Sequence, residues 1–349
     1  MESLDGCPVC KNEDTKFFFS APDRLHGVPG EFRYCVCNSC ATVFQNPMVV
    51  GDDISLCYPG DYYTHSLDVS ELEDVAIYER LKNQDGSIRN RARDAVIGAM
   101  QGKKRRGFLG AVGFLLSKFR SIRERAFFGI LLDEFLPVQS EPRKALEIGS
   151  GSGELLKSLR SVGWIAEGIE WDEIAAKVAE RQSGCPVRVG DIFDLELGDE
   201  TYDLIVLHHV FEHLRDPVRF LKEFRRLLTP GGKVVLVYPN PYSLGTKFYR
   251  TFWFPWDPPR HLTFPSLHAL GKVSADLGYQ LTTRTTGRTG KYCSAKSRLY
   301  RNKKKITEQV FPDTWDSMFE YAENISIFFG LSVGDEIISV LRKENPRGA

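Results

Sequence analysis

The sequence carries no net charge: 46 Lys and Arg residues balance 46 Asp and Glu residues among 349. Nucleic-acid binders draw much of their affinity from a cationic surplus, so a global footprint of that kind is excluded and only a local patch stays open. No uncharged run reaches the roughly 20 residues that a membrane-spanning helix requires. The opening MESLDGCPVC lacks a basic region followed by an apolar stretch and a small-residue cleavage site. No secretory leader is therefore expected, the expected location is cytoplasmic, and disulfides have little use there. Cysteine is scarce over most of the chain, since five of the eight fall within the first forty residues. What is present is ample core material, with hydrophobic residues at 42%, enough for one larger domain with attachments.

The early cysteines form two CxxC pairs, Cys7-Pro-Val-Cys10 and Cys37-Asn-Ser-Cys40. A two-residue spacer turns both thiolates toward one metal, and two such knuckles complete a tetrahedral zinc site. Cys35 is an alternative to Cys37 as ligand, although Cys37 has the CxxC spacing. Four protein ligands leave no open position, which predicts a structural ion. Cys57, Cys185 and Cys293 stand alone and are read as packing residues. Between the knuckles Lys16, Arg24 and Arg33 are offset by Glu13, Asp14, Asp23 and Glu31, so no basic face emerges and nucleic acid is not an expected partner.

A zinc-ribbon module is predicted over 1–60 and a helical connector over 61–138, proline-free from 75 to 135. Lys103, Lys104, Arg105 and Arg106 precede an apolar stretch, and Lys118, Arg120, Arg123 and Arg125 follow it. Leu115, Phe119, Ile122 and Ala126 recur at helical spacing. Two readings of 103–125 stay open: a helix gripping an anionic membrane surface or anionic substrate, and a helix packed on the main domain with a solvated basic face.

From residue 139 to 345 short apolar strands alternate with amphipathic helices, which predicts an α/β, doubly wound, Rossmann-like sheet. Strands are expected at 145–148, 165–170, 187–189, 202–207 and 233–238, with helices at 154–162 and 217–228. After the first strand comes Glu147-Ile-Gly149-Ser-Gly151-Ser-Gly153-Glu154, a tight turn whose glycines let a ligand approach the backbone. A dinucleotide fingerprint needs glycine where Glu154 stands, and an anionic pyrophosphate would meet a carboxylate there. A cationic, phosphate-free ligand tolerates Glu147 and Glu154 better.

These residues resemble the class I S-adenosylmethionine-dependent methyltransferases over about 140 to 283 plus a terminal strand. The resemblance implies a seven-stranded sheet in which Glu147, Gly149, Gly151 and Gly153 hold the methionine part of the cofactor. It implies further that Glu170 binds the ribose hydroxyls, that Asp191 contacts the adenine amino group and that Ile192 lies against the ring. Tyr202-Asp-Leu-Ile-Val-Leu-His208-His209-Val-Phe-Glu212-His213 is similar to the fourth-strand motif of methyltransferases acting on sugars, quinones and other small molecules, whose strand-end residues, here His208, border cofactor and substrate. Leu228-Thr-Pro-Gly-Gly resembles the turn before the fifth strand, and the segment from Gly334 to Lys343 resembles the antiparallel last strand. With the ribbon, Asp61-Tyr62-Tyr63 and Pro259-Arg260-His261-Leu262, the chain is similar to bacterial methyltransferases with an N-terminal zinc module, including C-methyltransferases for nucleotide-linked deoxysugars. The basic connector departs from that pattern.

The expected activity is methyl transfer to a sugar, glycan precursor or other small molecule, with S-adenosylmethionine as cofactor and structural zinc. His213 is the first choice for a base, because imidazole titrates near neutrality, with Glu212 orienting it or acting itself. A purely structural role for the pair is the alternative. His208 and His209 are weaker choices. An aromatic loop within 240–265 brings Tyr249, Trp253 and Trp256 as stacking faces for sugar rings or, alternatively, as core, and His261 as a second base or acceptor contact. An insert spans 284–332. Rival readings are an RNA methyltransferase that reads through its ribbon, a non-catalytic cofactor-binding scaffold and a nicotinamide-dependent oxidoreductase.

Overall fold

A computed structural model describes residues 1–50, 53–58, 108–118, 143–302 and 312–344, together with 91, 95, 96 and 99. Asp61-Tyr62-Tyr63, the basic residues 103–106, 120, 123 and 125, and most of the predicted connector lie outside the described residues. In chain order the strands are β1 (Thr15–Ala21), β2 (Phe32–Cys37), β3 (Val43–Gln45), β4 (Arg143–Ile148), β5 (Trp164–Glu170) and β6 (Val187–Val189). They continue with β7 (Tyr202–His208), β8 (Leu228–Pro239), β9 (Thr263–Phe264), β10 (Tyr279–Thr286) and β11 (Glu336–Lys343). The principal helices are α1 (Phe108–Leu116), α2 (Glu154–Ser161), α3 (Glu173–Ser183), α4 (Pro217–Leu227), α5 (Leu244–Tyr249), α6 (Leu267–Asp276), α7 (Gly290–Arg301) and α8 (Thr314–Phe328). Among the described residues no helix is long and apolar enough to cross a membrane.

The chain divides into two compact units, one made of Met1–Tyr62 with Gly198–Ala349 and the other of Tyr63–Leu197. In the second unit β4 and β5 pair in parallel, Ala145 opposite Ala166, and β5 pairs in parallel with β6. Asp172 caps α3 by accepting a hydrogen bond from the Ala175 amide, and Gly184 ends the helix in the left-handed region at φ 64°. Leu155, Leu156 and Leu159 form the buried stripe of α2.

Gly153, at φ 80°, begins α2, and a Cβ there would lie 2.6 Å from the carbonyl oxygen of Ala179. Gly153→Ala therefore combines a left-handed backbone with a clash against main chain on α3. The variant is expected to lose at least about 1–2 kcal/mol, read as a lower urea midpoint with unchanged slope.

The first unit holds two sheets. In one, β8 pairs in parallel with β7 and antiparallel with β11, whose other edge pairs antiparallel with β10. Pro217 at the first helical position and Asp216 as cap start α4, which buries Leu221, Phe224 and Leu227. The expected turn at 228–232 is absorbed into β8, whose Leu228 already pairs with Tyr202. Counting both units, seven strands alternate with helices in mixed parallel and antiparallel pairing, the α/β Rossmann-like class expected.

The other sheet is the ribbon's: β1, β2 and β3 form an antiparallel meander, and β9, more than 200 residues later, adds to its edge with Phe264 opposite Val43. Phe19, Tyr34 and Val43 from the ribbon share one core with Tyr249, Trp253, Trp256 and Phe264. The Phe19 and Tyr34 rings stack at 4.7 Å, and Trp256 lies edge-on to Phe264 at 5.1 Å. Each such aromatic pair contributes about 0.5–1.5 kcal/mol beyond its buried area. Tyr249, Trp253 and Trp256 are fully buried, so of the two readings open for them the core one holds: they pack with ribbon side chains.

Candidate functional site

Three groups of residues carry chemistry. The first is the thiol cluster of the ribbon. Cys7, Cys10, Cys37 and Cys40 bring their sulfurs within 4.8 Å of one another, with Cys7 to Cys40 at 3.6 Å and Cys10 to Cys37 at 3.5 Å. A tetrahedron built on zinc–sulfur bonds of about 2.3 Å has edges near 3.8 Å, so the donor set and its spacing fit zinc. Cys35, buried on β2 two residues before Cys37, is not part of the group, because it stands further along the strand from the turn that carries Cys37 and Cys40. The carbonyls of Cys40 and Ala41 accept hydrogen bonds from Ser266 Oγ and the Tyr242 hydroxyl, both at 2.6 Å.

The second group lies in the unit of Tyr63–Leu197. Gly149, Gly151 and Gly153 all take positive φ, at 72°, 49° and 80°. Glu147, at the end of β4, is buried, and its Oε2 has no hydrogen-bond partner. Burial, reinforced by the Glu170 carboxylate, pushes Glu147 well above the usual carboxylate range. A buried carboxyl with a free oxygen beside a glycine turn fits a cationic ammonium group and does not fit a pyrophosphate. Glu170, ending β5, accepts from the Gly151 amide at 2.8 Å and from Trp171 N at 2.9 Å, so it ties the turn to the next strand. Asp191 accepts from the Phe193 amide at 3.0 Å, and Ile192 is buried.

The third group gathers imidazoles around one carboxylate. β7 ends at His208, and the short helix Phe211–His213 presents Glu212, 0% exposed, to two histidines. The nearest Glu212 oxygen is 3.4 Å from His209 Nδ1 and 3.8 Å from His261 Nε2, and neither Glu212 oxygen has a well-directed hydrogen bond. Burial opposes its charge, but His209, His261 and His213 together outweigh burial and keep Glu212 below the usual range. Glu212 thus does not orient His213 through a hydrogen bond, as the sequence suggested. His213 Nδ1 instead sits 3.1 Å from the Arg260 carbonyl and 3.2 Å from the Tyr58 hydroxyl. With the proton assigned to Nδ1 by the carbonyl, Nε2 keeps its lone pair. Burial and then His261 hold His213 down at about 4, so the ring is neutral at neutral pH.

His261 is arranged the same way. Its Nδ1 donates to the Pro255 carbonyl at 2.7 Å, and its ring meets that of His213 edge to face at 4.6 Å. The loop that carries it is held by ribbon residues: Tyr34 Oη donates to the His261 carbonyl at 2.7 Å, and the Gln45 amide donates to the Leu262 carbonyl at 2.8 Å. Arg260, itself fully enclosed, is clamped between Asp23 and Asp257, 2.8 Å and 2.7 Å away. On the other side the Leu262 amide donates to the Glu212 carbonyl at 2.8 Å. The ribbon and the Glu212 helix therefore set the position of His261 together.

His209 has more partners than a minor candidate would. It sits at φ 57°, a left-handed conformation that is costly for a residue with a Cβ, with Nε2 2.9 Å from Glu336 Oε1. Burial pulls its pKa down but the two carboxylates override it upward, an effect moderated by solvent because the side chain is still 37% exposed. Arg288 completes the arrangement, donating to Glu336 at 3.3 Å and to His208 Nε2 at 3.2 Å. Burial, then its charged neighbours, lowers His208 to about 3. Tyr58, Arg288 and Glu336 were missed from sequence. The available signal was Asp335-Glu336 directly before the apolar Ile337 and Ile338, since carboxylates at the mouth of a buried strand need partners.

Residues 119–284 match the protein family described as a methyltransferase domain. A probable S-adenosylmethionine-dependent methyltransferase of Mycolicibacterium smegmatis is 34% identical over 99 residues, 28% of this chain and 38% of that protein. A ubiquinone biosynthesis O-methyltransferase of Parvibaculum lavamentivorans is 27% identical over 175 residues, 47% of this chain and 69% of that protein. A solved phosphoethanolamine N-methyltransferase of Haemonchus contortus in complex with S-adenosylmethionine superimposes with TM-score 0.44 at 15% identity, over 63% of this chain and 53% of that one. The chain covers between 26% and 49% of the length of four curated relatives that it matches.

Proposed function

With residues 119–284 matching a methyltransferase domain as the premise, we propose that the protein moves the methyl group of S-adenosylmethionine to a small-molecule acceptor, a sugar or glycan precursor. One observation carries the cofactor assignment: the buried Glu147 carboxyl, unpaired at Oε2, opening a turn of three left-handed glycines. Glu147 and the glycine amides would hold the methionine end, Glu170 the ribose hydroxyls, and Asp191 with Ile192 the adenine. The cofactor brings a methyl group already activated on a sulfonium. What remains for the protein is to align the acceptor, exclude water and take up a proton. His213 accepts that proton at Nε2, and the buried Glu212 carboxylate stabilises the imidazolium that results through its charge, without a hydrogen bond to the ring. His261 is the second contact for the acceptor. The small-molecule reading is supported by the similarity to a ubiquinone O-methyltransferase and by the chain's neutral charge.

Calorimetry with S-adenosylhomocysteine tests this, alone and then with a panel of nucleotide sugars. Micromolar binding is expected, weakened about tenfold or more in Glu170→Ala through loss of charge-assisted hydrogen bonds. Absence of binding to the wild-type protein sinks the proposal.

We propose also that the four ribbon thiols hold structural zinc. At least one equivalent of tightly held zinc per chain is expected on metal analysis, and it should be lost in Cys37→Ser. Cys37→Ser, or chelation, should lower the melting temperature, because metal binding is folding free energy for so small a sheet. An unchanged melting curve after complete zinc removal would speak against it.

A further inference from the structure

We propose that Glu212, His213 and His261 form a second metal site, separate from the ribbon, which takes one divalent borderline cation such as Zn²⁺ and, when filled, blocks proton uptake by His213. The ligand atoms of these three residues lie within 4.8 Å of one another. On a tetrahedral zinc ion nitrogen and oxygen ligands stand roughly 3.3 Å apart, so small rotations of the side chains close the set. Glu212 to His261 is already 3.8 Å.

Three features make this a built arrangement. Glu212 is 0% exposed, and beside the His209 ring at 3.4 Å neither of its oxygens receives a well-formed hydrogen bond, so a buried carboxylate keeps lone pairs open to a ligand. Both imidazoles direct Nδ1 at a main-chain carbonyl, His213 at Arg260 and His261 at Pro255. A ring that donates from one nitrogen to a carbonyl offers the other as a lone pair, the arrangement that orients metal-bound histidine. Both rings are only partly buried, so an ion has a way in and coordination positions stay open for water or the acceptor. Two imidazoles and a carboxylate favour borderline transition metals over magnesium or calcium, which prefer all-oxygen sets.

The blocking role follows because His213 Nε2 has one lone pair. Metal binding itself does not depend on methyl transfer; only the blocking role rests on the proposed function. The test uses the full chain with its ribbon loaded with zinc and Co²⁺ as the probe. One further equivalent of Co²⁺ is expected, with visible d–d bands and no thiolate-to-metal absorption. Its affinity should fall at least tenfold in Glu212→Gln and in His261→Ala, with S-adenosylhomocysteine binding checked in each to show that the fold persists. Added Zn²⁺ should inhibit methyl transfer and a weak chelator restore it. No further equivalent of Co²⁺, or a second site indifferent to both substitutions, overturns the metal site. Turnover that rises or stays constant as the site fills overturns the blocking role. Should Co²⁺ bind as described while no S-adenosylhomocysteine binds to the wild type, the proposed function fails and the metal site stands.

Discussion

His213→Ala lowers kcat by about 10²–10⁴-fold while S-adenosylhomocysteine still binds with wild-type affinity. Loss in kcat with the cofactor product still bound is what removal of a proton acceptor produces. Glu147, the glycine turn, Glu170 and Asp191 all lie in the unit of Tyr63–Leu197, and His213 lies in the other. A purely structural role for His213 would lower the melting temperature and weaken the cofactor product together. Single-turnover rates with labelled S-adenosylmethionine give the direct measure, and turnover within threefold of wild type would remove His213 from the mechanism. Glu212→Gln should cost less, because the amide keeps the shape but no longer stabilises a developing imidazolium.

Arg260→Met destabilises the protein by about 3–5 kcal/mol. The guanidinium is fully enclosed and bonded to Asp23 and Asp257, and it donates also to the Cys57 carbonyl at 3.2 Å. Removing it strands two carboxylates with no opposing charge. Asp23 has a further role, accepting from the amides of Leu25, His26 and Val28, so it organises the turn between β1 and β2. Denaturant unfolding of Arg260→Met against wild type checks the magnitude, and a loss under 1 kcal/mol would contradict it.

The same pair sets an acid limit. Burial opposes the charge on Asp23, but the hydrogen bond and charge of Arg260 dominate and lower its pKa. A lowered carboxylate contributes stability that is complete above its unfolded value, about 3.9, and is lost as pH falls from there through the folded value. Wild-type stability should therefore drop steeply below about pH 4, and Asp23→Asn should flatten that part of the profile.

The strands of the Rossmann-like part were readable because each is a short apolar run between turn residues. Those expected at 187–189 and 202–207 fall on β6 and β7 to within a residue. The glycine turn was readable for a related reason, since positive φ at three alternate positions demands glycine. Pairings across long stretches of chain were not. Nothing local to Val43 or Phe264 says that they face each other, and that pairing is what turns Trp253 and Trp256 from exposed candidates into core. Glu336 escaped notice alike, because it reaches His209 from a strand 127 residues away.

The edge contact between β3 and β9 bears on synthesis. Residues 43 to 45 emerge from the ribosome long before 263 and 264, so the nascent β3 waits with one strand edge open. Open edges of that kind recruit neighbouring chains. A nascent chain stalled before residue 263 would be sticky in proportion to the delay, while the four thiols proposed to hold zinc, all within the first 40 residues, would already be complete.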